Sequence, residues 1–216
     1  MSVIPFSQAL RESTWASHSD SEGASFMKDL MTGTGTRQDY VALVAQHYFI
    51  YEAIEAAAAQ FAGDHVAAPF ISPQLTRLPA IMADLRFLLG DDWLEQLTAL
   101  PTTERYVERI RDVAAQAWAG GFIAHHYTRY LGDLSGGQVI RTLMQRKFGF
   151  QTNGVGFYLF DQIAKPKEFK QTYREQLDAV VWDAAERERV IDEVLAAYRF
   201  NTELFVDLSA AKAAAA

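Results

Sequence analysis

The segment YLGDLSGGQVI, Tyr130 to Ile140, places three glycines where the flanking pattern demands a helix. Before it, Trp118, Phe122, His126 and Tyr130 recur every four residues. After it, Val139, Ile140, Leu143 and Met144 resume the spacing of a buried helical face. A glycine inside a helix costs about 1 kcal/mol relative to alanine, so Gly132, Gly136 and Gly137 together forgo roughly 3 kcal/mol. Gly132 and Gly136 are four apart and leave one helical face bare, against which a flat, bulky ligand could lie. A helix cap followed by a turn at Ser135–Gly137 would explain the glycines equally well, but it calls for polar flanks. The flanks are FIAHHYTRYLG and QVIRTLM, which favours a kinked helix over a ligand.

The rest of the chain reads as helix. Phe6, Leu10, Thr14 and His18 are spaced by four behind Pro5, a residue suited to a first helical turn. Tyr40, Leu43, Val44, His47, Tyr48, Tyr51, Ile54 and Ala58 form a long amphipathic stripe. Further helices are predicted over about 73–89, 102–118, 120–148, 166–180 and 183–207. GVGFYLF (154–160) is the nearest approach to a strand and lacks a partner. The prediction is an all-α, single-domain helical bundle over residues 1–208, followed by an Ala-rich tail, 209–216, expected to fray.

Of the 216 residues half are hydrophobic, enough for one core, and neither a linker nor an internal repeat divides them. The absence of cysteine removes disulfide scaffolds, thiolate metal sites, redox CxxC motifs and c-type haem attachment together. No apolar run is long enough to span a membrane, and the N-terminus lacks the basic start and apolar stretch of a secretory signal, so a soluble, cytoplasmic protein without a membrane anchor is predicted. A net charge of −7 argues against nucleic acid as the main partner. Between Arg141 and Arg174, however, seven basic residues face two acidic ones. That window is either a solvated face or a docking surface for an anionic ligand or acidic partner.

Several chemistries fall away on spacing. None of the five histidines has an acidic residue three positions before it, as the Glu-x-x-His of di-iron bundles requires. GTGTRQ (33–38) fails the dinucleotide pattern at Gln38 and follows no strand, and no GK[ST] loop is present. Among the histidines, His65 reads as a loop residue and His47 as a hydrogen-bonded core residue, and one of His125 and His126 is expected to face the core. His18 closes a helical face with Glu22 four residues on, close enough to accept an imidazole N–H. It is either a helix-end residue or a metal-binding ring whose tautomer a carboxylate fixes.

At this point HHYTRYLGDLSGGQVI resembles the distal-helix signature of the biliverdin-producing haem oxygenases. ESTWASHSDSEGASFM resembles their proximal segment. HYFIYEAIE, FKQTYREQLD and AAYRFNTELFVDL match in type and order, so the resemblance runs from about residue 7 to 208. It implies oxidative cleavage of haem b, both substrate and prosthetic group, to biliverdin, carbon monoxide and ferrous iron, with O2 and electrons from an external reductase or ferredoxin.

By that likeness His18 is the iron ligand and Glu22 its partner. Gly132 and Gly136 let the kinked helix approach the haem, Asp133 is the distal aspartate, and Arg129, Tyr51 and Asn201 belong to the polar network behind it. Lys170, Arg174 and Tyr127 hold the propionates, from which meso-α cleavage is expected. Thr14, Met27 and Tyr198 are pocket positions. Where many members carry lysines near the proximal helix this chain has Arg11, which keeps the charge, and Trp15, which does not. A thiaminase-like hydrolase would need a nucleophilic cysteine. A non-catalytic haem carrier or sensor on the same fold is the rival, separable at Asp133.

Overall fold

A computed structural model describes residues 4–214. Among them are nine α-helices and no β-strand: α1 Phe6–Gly23, α2 Ser25–Thr32, α3 Arg37–Gln60, α4 Leu78–Leu89, α5 Pro101–Ala115, α6 Ala119–Asp133, α7 Gly136–Phe148, α8 Pro166–Ala179 and α9 Ala184–Ala214.

Local chemistry sets the boundaries. Thr36 and Asp39 form a capping box at the start of α3, each side chain satisfying the other's backbone N–H. Proline opens α5 and α8, where its missing N–H has no helical partner to lose. Gly33 and Gly149 end α2 and α7 in the left-handed conformation.

Long α9 is the spine. It packs against α6, α1, α5 and α2, while α3 packs against α5, α4 and α6. The core between them is aromatic-rich, with Tyr40, Tyr51, Tyr106, Tyr158, Tyr173, Phe70, Phe122 and Phe157 wholly enclosed. α1 meets α9, and α7 meets α2 and α6, which leaves a space bounded by α1 on one side and the α6–α7 junction on the other.

Two of the predicted helices are shorter than expected. The helix expected over 73–89 begins at Leu78, because Pro73–Leu75 is a separate 3-10 turn. That expected over 102–118 stops at Ala115, two residues before Ala117 adopts a positive φ of 48°. GVGFYLF contains a 3-10 turn at Gly156–Tyr158. Its backbone N–H groups serve no sheet: those of Gly154, Gly156 and Phe157 all donate to the carboxylate of Asp84, at 2.7–3.0 Å. α9 continues to Ala214, and Lys212 donates to Asp39 at 2.8 Å, tying the spine to the capping box of α3. Residues 215 and 216 lie outside the described residues.

Candidate functional site

The 120–148 segment is two helices, and the kink is a two-residue interruption at Leu134 and Ser135. Ser135 N–H turns back to the carbonyl of Gly132 at 3.0 Å. Gln138 clamps the break by donating to the carbonyls of Asp133 (3.1 Å) and Tyr158 (2.8 Å). The three glycines then part company. A Cβ on Gly132 would meet no atom of the described residues within 4 Å, and one on Gly136 would meet only Glu22 Oε1 at 3.8 Å. A Cβ on Gly137 would lie 2.7 Å from the Tyr158 ring. Gly132 and Gly136 therefore present bare backbone to open space, whereas Gly137 is small so that Tyr158 can pack on the helix.

That open space is a cavity of about 340 Å³, within the range of small-molecule sites. Its α1 wall carries Arg11, Thr14, Trp15, His18 and Glu22, and Met27 follows on α2. The Thr14 hydroxyl is spent on the carbonyl of Leu10 at 2.8 Å. Trp15 stacks on the His18 ring with centroids 5.6 Å apart and planes 11° from parallel, and Tyr198 of α9 meets that ring edge-on at 5.6 Å. Trp15, read in the sequence as a lost charge, thus braces the histidine. His18 Nε2 lies 3.6 Å from Glu22 Oε1, longer than a hydrogen bond, and Nδ1 is buried with no partner among the described residues. One nitrogen beside a carboxylate and the other unclaimed is the division a metal-binding imidazole needs. No three His, Asp or Glu side chains converge among the described residues, so an ion held here must bring most of its ligands with it, as haem iron does.

The opposite wall is electrostatically built. Tyr51, just behind the cavity on α3, donates its hydroxyl to Asp133 Oδ2. Arg129 lies over the Tyr51 ring at 5.3 Å and donates to Asn201 Oδ1 at 2.9 Å. Burial raises the Asp133 pKa to about 6, with the Arg129 charge and the Tyr51 hydrogen bond working against it. Burial opposes the Arg129 charge too, but Tyr51 and Asp133 more than compensate and raise its pKa.

At the rim, Arg11, Arg174 and Tyr127 line the cavity together. Burial raises the Tyr127 pKa while Arg174 and Arg11 pull the other way. Lys170 stands apart: it donates to Ser135 Oγ at 2.7 Å and to the Leu134 carbonyl at 3.3 Å, closing the helix break rather than lining the cavity.

Among the lining residues that escaped the sequence reading, two carry titratable groups. His47 lines the cavity, and its Nδ1 is buried with no partner among the described residues, so it is not the hydrogen-bonded core histidine expected. Tyr158, lost in the strand-like GVGFYLF, also lines it. A polar residue on an apolar helical stripe was the available signal for the first. His125 and His126 are both buried, the former on Glu193 at 2.8 Å and the latter on Tyr173 at 2.9 Å, and His65 is exposed in a turn, as expected.

Residues 4–207 match the family model described as "Heme oxygenase". The chain belongs to the haem oxygenase family. Among curated haem oxygenases it is similar to haem oxygenase 1 of Synechocystis sp., at 38% identity over 96% of this chain and 86% of that protein. It is also similar to human haem oxygenase 1, at 37% over 94% and 71%. The crystal structure of haem oxygenase-1 from Synechocystis in complex with haem superposes with a TM-score of 0.91 at 36% identity, covering 98% of this chain and 96% of that one. Haem oxygenase-2 from the same organism, in complex with haem and NO, gives 0.92 at 32%, covering 98% and 88%. As a haem oxygenase the chain is all-helical, and among its described residues no helix is long and apolar enough to cross a membrane.

Proposed function

We propose that this chain cleaves haem to biliverdin, carbon monoxide and ferrous iron, using O2 and electrons from an external donor. The observation that carries the reading is a single cavity with a braced histidine, His18, on one wall and Asp133 beside the bare backbone of Gly132 and Gly136 on the other.

Bound haem supplies the iron at which O2 is reduced and the meso carbon that is oxidised. The protein supplies position and protons. His18 holds the iron, with Trp15 and Tyr198 fixing its ring and Glu22 near its second nitrogen. Thr14 and Met27 complete the walls. Backbone at Gly132 and Gly136 would leave room for the haem without contributing an acid. Asp133, fixed by Tyr51, orients a water that delivers the proton rather than touching oxygen itself. Arg129 and Asn201 hold that network in register, and small displacements of such a network remove much of the rate. Haem is nearly fourfold in outline, so its propionates must set its rotation. Arg174 and Arg11 with Tyr127 would suit that task, with the meso-α edge the expected point of attack, while Lys170 braces the helix break beside them through Ser135.

Electrons come from outside. Parts of the basic window are engaged within the fold, Lys147 on the Gly33 carbonyl and Lys165 on Glu168, while Arg146 and Lys167 stand exposed and suit an acidic reductase or ferredoxin.

Haem added with a small chemical reductant in air tests the reading: extracted biliverdin and chelatable ferrous iron support it. Haem recovered intact after prolonged reduction points instead to the carrier or sensor.

A further inference from the structure

His47 is a polar residue set among apolar neighbours. On α3 its neighbours Leu43, Val44, Ile50 and Ile54 are fully enclosed, and His47 is buried with them. Its ring packs on Phe157 with centroids 5.0 Å apart and on Tyr51 at 6.1 Å. Yet its Nδ1 has no hydrogen-bond partner among the described residues, and the side chain lines the cavity.

A second polar atom nearby is in the same condition. The Tyr158 hydroxyl is buried and also lacks a partner among the described residues. Its ring abuts Phe157 at 4.6 Å and lies against Gly137, with Asp133 close by. Buried polar groups are seldom left unpaired, and two on one cavity wall are the setting in which ordered water is retained.

We propose that His47, together with Tyr158, is a positioning residue of the Asp133 side: the imidazole and the hydroxyl hold a water that hydrogen-bonds onward to the Asp133 network. The proposal rests on the haem-cleaving reading above. His47 acts through that water and touches neither iron nor the reacting carbon. The charged and titratable groups around it are Tyr51 from α3, Arg129 and Asp133 from α6, and Tyr158 from the 156–158 turn. Burial, and then the Arg129 charge, lower its pKa well below the ordinary histidine value. The neutral ring offers one donor and one acceptor, which suits it to relaying a hydrogen bond without placing an acid at the reacting face.

The test compares the parent, His47→Leu and His47→Gln in two states. Without haem, His47→Leu removes one partner of the held water and leaves the Tyr158 hydroxyl short of its bond, and is expected to lower Tm by about 2–4 °C. With ferric haem bound, the pH midpoint of the absorption spectrum is expected to move by at least about half a pH unit in His47→Leu and to stay near the parent value in His47→Gln, whose amide restores the hydrogen bond. An unchanged midpoint in His47→Leu overturns the proposal, as does an equal shift in both variants, which would mark a packing effect. A raised Tm of the haem-free Leu variant, or a spin-state change showing that His47 ligates iron directly, also overturns it. If the parent itself leaves haem uncleaved, the functional reading fails and this proposal with it. If the parent cleaves haem and His47→Leu titrates identically, this proposal alone fails.

Discussion

The hydroxyl of Tyr51 donates to Oδ2 of Asp133, tying the middle of α3 to the last residue of α6 where the helix breaks. The bond fixes a buried carboxylate on the cavity wall beside the glycine backbone. Burial pushes that carboxyl up from 3.8 to about 6, which corresponds to roughly 3 kcal/mol against the charged form. With a raised folded pKa, the folded chain keeps a proton between about pH 4 and 6 that the unfolded chain has lost. Asp133 therefore favours folding most below pH 4, and that advantage is lost as pH rises through about 6. Urea unfolding of the parent and Asp133→Asn across pH 4 to 7.5 should show the stability difference moving toward the variant by roughly 3 kcal/mol. A pH-independent difference would mean that the carboxyl is not held in a desolvated site.

The glycines predict a separation of folding from binding. Gly132→Ala and Gly136→Ala add a methyl where the described protein atoms leave room. Haem-free stability should hold or rise by up to about 1 kcal/mol, while haem affinity falls because the methyl projects into the cavity. Gly137→Ala should instead lower stability by about 1–3 kcal/mol, since its methyl must displace the Tyr158 ring. Thermal unfolding and haem titration of the three variants distinguish the two behaviours. Equal destabilisation by all three would refute the bare-backbone assignment.

A second buried cluster holds the spine to its neighbours. Glu193 of α9 accepts from His125 at 2.8 Å and from Arg109 at 2.8 and 2.6 Å. Burial alone would raise its pKa, but the hydrogen bonds from His125 and Arg109 prevail and hold it at about 2. The sign is the reverse of that at Asp133. The stabilisation is present above about pH 4.5 and is lost as pH falls through about 2. Glu193→Gln should cost stability near the low end of about 3–5 kcal/mol at pH 7, because Arg109 is one-third exposed and partly solvated. The deficit should shrink on acidification, as denaturant unfolding at pH 7 and pH 3 would show.

Electron delivery gives a kinetic prediction. If Arg146, Lys167 and their neighbours dock an acidic donor, turnover supported by a ferredoxin or reductase should fall steeply between about 50 and 300 mM salt, and turnover supported by a small neutral reductant should not. Equal salt response in the two assays would remove the docking role.

Much of this was legible in the sequence because helical burial writes itself at a period of three to four residues. The bundle and the broken glycine segment follow from that pattern, and the long motifs around them carried the resemblance to the family and with it the role expected of Asp133. What pattern could not supply was direction and reach. A buried stripe looks the same whether it faces core or cavity, so His47 passed for a satisfied core residue. GVGFYLF fitted neither a helix nor a paired strand, and the pattern could not say why, because Asp84, which gathers its N–H groups, lies 70 residues away in the chain at Gly154. Lys170 and Arg174 share a helical face, but only the length of each side chain and the helix break decide that one closes the break while the other lines the cavity. Gly137 could not be told from its neighbours until Tyr158 was seen against it.

The most direct test sets the parent beside Asp133→Ala, each loaded with haem, reduced in air and followed through the Soret band with extraction of products. The account predicts that both bind haem through His18, that the parent loses the Soret band and yields biliverdin with chelatable ferrous iron, and that Asp133→Ala yields none. Biliverdin from both proteins at equal rates would contradict the role of Asp133, and an undiminished Soret band in the parent would contradict haem cleavage itself.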